Sequence, residues 1–341
     1  MNFDIAGEPI HTRCLTIVLR ATEEHSIHFR ADLLDLRKAG LMELAGSFAS
    51  AGIIHKMEVR GQFSGLTDAI ETIEWAQSHV AHEANAATCG ECCRDPLLRL
   101  KGLVGVRLGQ GFPAELASRF GGVLGCSHIT TLLREVNAFV SRLKEGALKA
   151  DRRVGRRAGE RIASRSVFLD GSLSRGSTRA EVSVRLADLE IEGIDSSGDE
   201  IFAGLDEVRL VAAVELENLR LQRLHAGQRS RRSSRSDDAP WRARSGELAG
   251  FVGQSLSGGM ARLCLEHFGK RADAALLLSA LLNLSPGMTQ VVAALADTPK
   301  RSRASGGAES FPQGGPCYML RAGGPLMQRL IGGPSPGREK A

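Results

Sequence analysis

Apolar and polar residues alternate along Thr12–Arg20 (T-R-C-L-T-I-V-L-R), so Leu15, Ile17 and Leu19 share one face and a strand is expected. Ser26–Leu36 repeats the pattern with Phe29, Ala31 and Leu33. A third strand fits between Gly40 and Gly52, and Ile53–Gln62 reads as a further one with Ile53, His55, Met57 and Val59 together. The spacing then changes. Leu66, Ala69, Ile70, Ile73, Gln77 and Val80 recur at helical intervals, which predicts a helix over Leu66–His82. Pro113–Gly121 predicts a short helix, and a long one starts at Cys126 with Ile129, Leu132, Leu133, Val136, Val140 and Leu143 on its apolar face. Strands followed by helices give an α+β class: an antiparallel sheet, then a helical subdomain.

The pattern occurs twice. An offset of 148 residues lays Gly102, Val104, Gly105, Leu108, Gly111, Phe120 and Gly121 on identical residues at Gly250, Val252, Gly253, Leu256, Gly259, Phe268 and Gly269. Four of these matches are glycines, which indicates shared backbone demands and hence a tandem duplication. Arg165–Leu169, Thr178–Ile191 and Val208–Leu216 read as the strands of the second copy. The expected organisation is a first repeat at 11–143, a basic linker at 144–164, and a degenerate second repeat at 165–297 with a disordered insertion near 226–240. A Gly- and Pro-rich extension follows at 298–341, in which Cys317–Arg321 (C-Y-M-L-R) could form a short strand.

Composition narrows the class. The 341 residues are 43% hydrophobic but only 4% aromatic, so Leu, Val, Ile and Ala must build the core. Seven cysteines without a secretory signal suggest a reduced, cytoplasmic protein. No stretch of about 18 apolar residues is evident, so no membrane partner is expected. The net charge of +5 concentrates in Arg142–Arg165 and Arg229–Arg235. Neither run is interleaved with aromatics, so a solvated linker is the expectation and nucleic acid is not the expected partner. A homo-oligomer remains open.

The candidate chemistry lies between 88 and 128, in T-C-G-E-C-C-R-D and G-C-S-H. Cys126 at a helix start should have a lowered thiol pKa, with His128 two residues on as a base. Arg94 would anchor an anion, Asp95 would orient it, and His55 would be a second acid/base group or a core histidine. These residues describe a Cys-His enzyme, cofactor-independent or metal-assisted, acting on a small anionic organic substrate as a lyase, isomerase or hydrolase. The alternative is a metal-binding or iron–sulfur scaffold without turnover. It would place zinc or iron on Cys89, Cys92, Cys126 and His128, since C-x-x-C is a common ligand spacing. Under the 148-residue offset Cys126 and His128 fall on Ala274 and Leu276, so the second copy reads as support for the first.

Through G-C-S-H-I-T-T-L-L (Gly125–Leu133), with L-x-G-L-x-x-x-x-G-x-G-F before it, the chain resembles a bacterial family of uncharacterised proteins with a G-C-[S/T]-H-[L/I] signature. The resemblance covers roughly 11–143 and implies His55, Cys126 and His128 as site residues, without implying a reaction. The chain is more weakly similar to iron–sulfur scaffold and sulfur-acceptor domains, through Gly125–Cys126 alone.

Overall fold

A computed structural model describes residues 3–22, 25–38, 42–44, 47–49, 51–144, 147–148, 156–173, 178–232, 239–296, 315 and 317–330. The strands are β1 Glu8–Ala21, β2 Ser26–Arg37, β3 Met42–Leu44, β4 Ser47–Ala49, β5 Gly52–Ser64, β6 Ile70–His79, β7 Arg161–Leu173, β8 Arg179–Ile194, β9 Glu200–Glu215, β10 Leu221–Arg232 and β11 Arg242–Ala243. The helices are α1 Phe112–Phe120, α2 Ser127–Leu143, α3 Met260–Phe268, α4 Ala275–Leu282, α5 Leu284–Ala296 and α6 Pro325–Leu330. Short 3-10 segments at Asp95–Leu103 and Ser245–Phe251 lead into α1 and α3.

Nine strands form one antiparallel sheet in the order β6-β5-β2-β1-β7-β8-β9-β10-β11, while β3 and β4 pair as a separate hairpin. The fold is α+β and internally duplicated. The two four-strand units meet where β1 pairs with β7, and the helices α2, α4 and α5 cover one face. Alternation produces this layer: Leu15, Ile17 and Leu19 of β1 are fully buried beneath the helices, as are Val182, Val184 and Leu186 of β8 or nearly so.

Matching main-chain bonds confirm the duplication. The amide of Gly105 donates to the carbonyl of Ile70 at 2.8 Å, and that of Gly253 donates to Leu221 at 2.7 Å. Leu108 N donates to Asp68 O, and Leu256 N donates to Leu219 O, both at 2.9 Å. Gly105 and Gly253 share a left-handed φ of 84° and 86°, a conformation that explains the retained glycine. At the middle of the helical layer the repeats touch through equivalent residues: Asn283 Nδ2 donates to Glu135 Oε1 at 2.8 Å, and the 148-residue offset relates these two positions.

Several expectations are corrected. Leu66–His82 is not a helix; its ordered core is the strand β6. A bulge against β5 inserts Glu71, so Phe63 pairs with Ile70 while Gly61 pairs with Ile73. Ile70, Ile73 and Gln77 therefore face one side at spacings of three and four, which mimic a helix. The disordered insertion expected near 226–240 begins instead as β10, while 233–238 lies outside the described residues. Cys317–Arg321 forms turns and no strand. Ala272–Ala294 is long and apolar enough to cross a membrane by length and composition, and 56% of its window is buried against this chain, as in the core helix of a soluble fold as much as in a span. Much of the 144–164 linker and of the C-terminal extension lies outside the described residues.

The basic stretch at 142 is not solvated at its start. Arg142 of α2 is half-buried and bonded to Asp188 and Asp206. Deeper still lies Arg165, 1% exposed, which binds Asp188 with two nitrogens at 2.7 and 2.8 Å and Glu135 at 2.8 Å. Arg165→Met removes a buried counter-charge from Glu135 and should cost about 3–5 kcal/mol of stability. Arg119→Ala, whose partner Glu115 is exposed, should cost no more than about 0.5 kcal/mol. Urea unfolding of the two variants measures the contrast.

Candidate metal centre

Three adjacent strands change character at the same end of the sheet. Their inward positions are apolar along most of their length, then turn polar: Leu15 gives way to Arg13 and His11, Leu33 to Asp35 and Arg37, and Met57 to His55. All five of these polar side chains are buried, and Asp35 has no exposure at all. The register sets Arg13 opposite Asp35 and Asp35 opposite His55. The helix α2 packs over β2 and β5 and brings His128, in its first turn, down to the same point.

Asp35 is the hub. Arg13 donates to its Oδ1 through Nε at 2.8 Å and to its Oδ2 through Nη2 at 3.0 Å, a bidentate pair. His11 Nε2 lies 3.2 Å from Oδ1. On the other oxygen, Oδ2 faces His55 Nδ1 at 3.3 Å and His128 Nε2 at 3.2 Å. The two imidazoles lie with centroids 4.0 Å apart and their planes tilted by 36°. Burial by itself would raise the Asp35 carboxyl, but Arg13 and the adjacent imidazoles of His11, His128 and His55 hold it well below the ordinary range. Burial, with His55 close by, pushes His128 down to about 3. The site therefore holds an ionised carboxylate facing the neutral imidazole of His128, the protonation state in which these two groups bind metals.

Asp35, His55 and His128 form a group whose ligand atoms all lie within 4.8 Å of one another, and it can coordinate a divalent metal such as zinc or iron. The contacts fit a shared ion. Ligands at about 2.0–2.1 Å in tetrahedral geometry sit roughly 3.3 Å from each other, and the two Asp35–imidazole separations are 3.3 and 3.2 Å. His55 Nδ1 is a buried atom without a properly directed hydrogen-bond partner, although Asp35 Oδ2 is near.

The second repeat supplies an internal comparison. Its strand register sets Arg165 opposite Asp188 and Asp188 opposite Asp206, so these are the counterparts of Arg13, Asp35 and His55. The bidentate arginine is preserved. The offset is 151–153 residues here, longer than the 148 of the helical part, so the counterpart of His55 on β9 is Asp206. Asp188 Oδ2, the counterpart of the oxygen facing His55 and His128, receives Arg142 Nε at 2.5 Å, and Arg142 Nη1 donates to Asp206 at 2.9 Å. A fixed cation, a guanidinium, occupies the equivalent place.

The residues singled out by sequence separate. His55 and His128 come together at Asp35. Cys126 caps α2 with its Sγ 3.8 Å from His128 Nδ1, the ring nitrogen turned away from Asp35. Its thiol is not activated as expected: burial outweighs the helix start and pushes it up to about 12. Arg94 is not at this site. It donates Nη2 to Glu83 at 2.8 Å and Nε to the carbonyl of Gln77 at 2.9 Å, a clip between β6 and the following segment. Asp95 accepts from the amide of Cys92 at 2.9 Å, a local turn bond. Cys89 is exposed, while Cys92 is buried beside Glu83 and Arg94; neither belongs to the metal-capable group, so the set Cys89, Cys92, Cys126 and His128 is not assembled. Asp35, His11 and Arg13 were not expected, although the polar ends of three inward strand faces carry their signal.

Two shallow clefts lie elsewhere, one bordered by Arg107, Glu115 and Arg119, the other by Thr12, Lys38, Asp170 and Arg185. A family model described as "Protein of unknown function (DUF2889)" matches residues 11–141. That span covers the first repeat and contains the triad, Arg13 and His11. No curated protein matches the chain.

Burial also lowers His82, to about 4, with His55 contributing. Both His82 and His128 are neutral when folded but take up a proton near pH 6.5 when unfolded, so the unfolded chain binds more protons between about pH 4 and 6.5. Stability should be full above about pH 6.5 and fall as pH drops, by a few kcal/mol at pH 4.5. Urea midpoints across that range measure the slope, and His82→Gln should flatten it.

Proposed function

We propose that this protein binds one divalent transition-metal ion, zinc or iron(II), on Asp35, His55 and His128 of its first repeat, and that the second repeat serves as the scaffold holding that site. One observation carries the reading: the inward oxygen of a fully buried carboxylate faces two imidazoles, at the place where the other repeat has a guanidinium. A buried carboxylate edge in this fold is matched by a positive charge. Arg13 provides it on one side of Asp35, and a metal would provide it on the other. Two histidines and one carboxylate suit zinc and mononuclear iron, whereas magnesium and calcium prefer oxygen alone.

A metal-assisted enzyme is the second reading, and the charge balance favours it. Arg13 already neutralises Asp35, so a divalent ion leaves a positive site suited to a small anionic substrate. Three protein ligands leave a position for water or substrate, as in catalytic zinc sites.

Elemental analysis after reconstitution with zinc or iron(II) tests the proposal. The expected result is about one equivalent per chain, lost in His55→Ala, His128→Ala and Asp35→Asn and kept in Cys89→Ser and Cys92→Ser. Stoichiometric metal surviving in all three triad variants, or none taken up by the folded wild type, would overturn it.

A further inference from the structure

The helix α5 carries Gln290 across from the second repeat. Its side-chain Nε2 lies 3.1 Å from His128 Nε2, the same nitrogen that lies 3.2 Å from Asp35 Oδ2. No arrangement of protons satisfies both contacts as they stand. If His128 carries its proton on Nε2, that proton serves Asp35 and meets a second donor, the amide of Gln290. If the proton is on Nδ1, Nε2 accepts from Gln290 but turns a lone pair toward a carboxylate lone pair. An amide turned by half a revolution exchanges its oxygen and nitrogen without moving its outline. A cation among the three groups, with Gln290 Oε1 facing it, satisfies all of them at once.

We infer that Gln290 is the fourth protein ligand of the metal centre, supplied by the second repeat through its amide oxygen. The inference rests on the metal reading above and specifies how that site is closed. The 3.1 Å separation from His128 is another edge of the same roughly tetrahedral figure, about 3.3 Å on a side for ligands near 2.0–2.1 Å.

The duplication gives independent support. The 148-residue offset places Gln290 on Arg142, and the helical faces agree through that region: Leu133, Val136, Val140 and Leu143 correspond to Leu281, Leu284, Met288 and Val291, all buried. Arg142 reaches from the first repeat into the carboxylates of the second, and Gln290 reaches from the second into the triad of the first. One helix position thus serves the opposite repeat in both directions, delivering a cation to one site and a neutral oxygen donor to the other. The helix bearing Gln290 is held close to the sheet. A Cβ on Gly171 would sit 2.4 Å from the Val291 side chain, and one on Gly287 would sit 2.1 Å from Leu169, so α5 approaches β7 only because these residues are glycine.

Cobalt(II) titration of the full chain, followed by visible absorption, tests the inference. Wild type should bind one equivalent with the intense bands of a four-coordinate ion. Gln290→Ala and Gln290→Leu should weaken binding at least about tenfold and lower the band intensity as water enters the shell. Gln290→Glu, which keeps the length and offers an oxygen, should restore affinity with shifted bands. If Gln290→Ala and Gln290→Leu keep the wild-type spectrum, Gln290 is not a ligand, whatever the affinity, while the triad stands. If folded wild type binds no cobalt, the triad and its fourth ligand fall together. Should the shortened side chain unfold the protein, Gln290→Glu still decides: unchanged bands overturn the inference.

Discussion

The structure depends on two carboxylates buried in the middle of a nine-stranded sheet, Asp35 and Asp188, each gripped by an arginine on the neighbouring strand. A lone ionised carboxylate at such a depth costs several kcal/mol, so each must have compensating charge and well-directed donors. Arg13 and Arg165 supply the same two-pronged contact in both repeats. That contact uses one edge of each carboxylate. What meets the other edge distinguishes the repeats and gives the molecule its chemistry.

In the second repeat the other edge is closed from within. Arg142 spans Asp188 and Asp206, Arg232 adds two contacts to Asp206, and Arg165 continues to Glu135 and Ser279. Every charge there has a protein partner, and the result is a structural network that ties α2 to the sheet. In the first repeat the guanidinium is replaced by imidazoles, and a neutral amide reaches over from α5. Duplication followed by divergence has left one centre sealed by protein and one suited to an ion. The repeats share a single sheet and clasp through Glu135 and Asn283, so the scaffold of either site includes both.

The α+β class, the duplication and the helix from Cys126 were legible because they rest on local signals: alternation, heptad-like spacing and glycines with special backbone demands. The strand β6 was not, since one bulge converted a period of two into spacings of three and four. Asp35 was hidden for another reason. In the segment L-L-D-L-R it is a single acid between leucines; alternation puts it on the face of Phe29, Ala31 and Leu33, but only pairing with β1 and β5 brings Arg13 and His55 against it. The cysteines drew attention through their density, but a thiol at a helix start is activated only where water or charge can stabilise the anion. Cys126 is buried, and desolvation prevails. His55 and His128 were found as isolated residues, and their shared partner required the register.

The most direct test of the central claim is anomalous diffraction at the zinc or iron edge from crystals of reconstituted protein. The account predicts one strong peak about 2 Å from Asp35 Oδ2, His55 Nδ1 and His128 Nε2 together, on the side of the carboxylate away from Arg13. A peak among Cys89, Cys92 and Cys126 instead, or an intact triad without any peak in metal-saturated crystals, would contradict it.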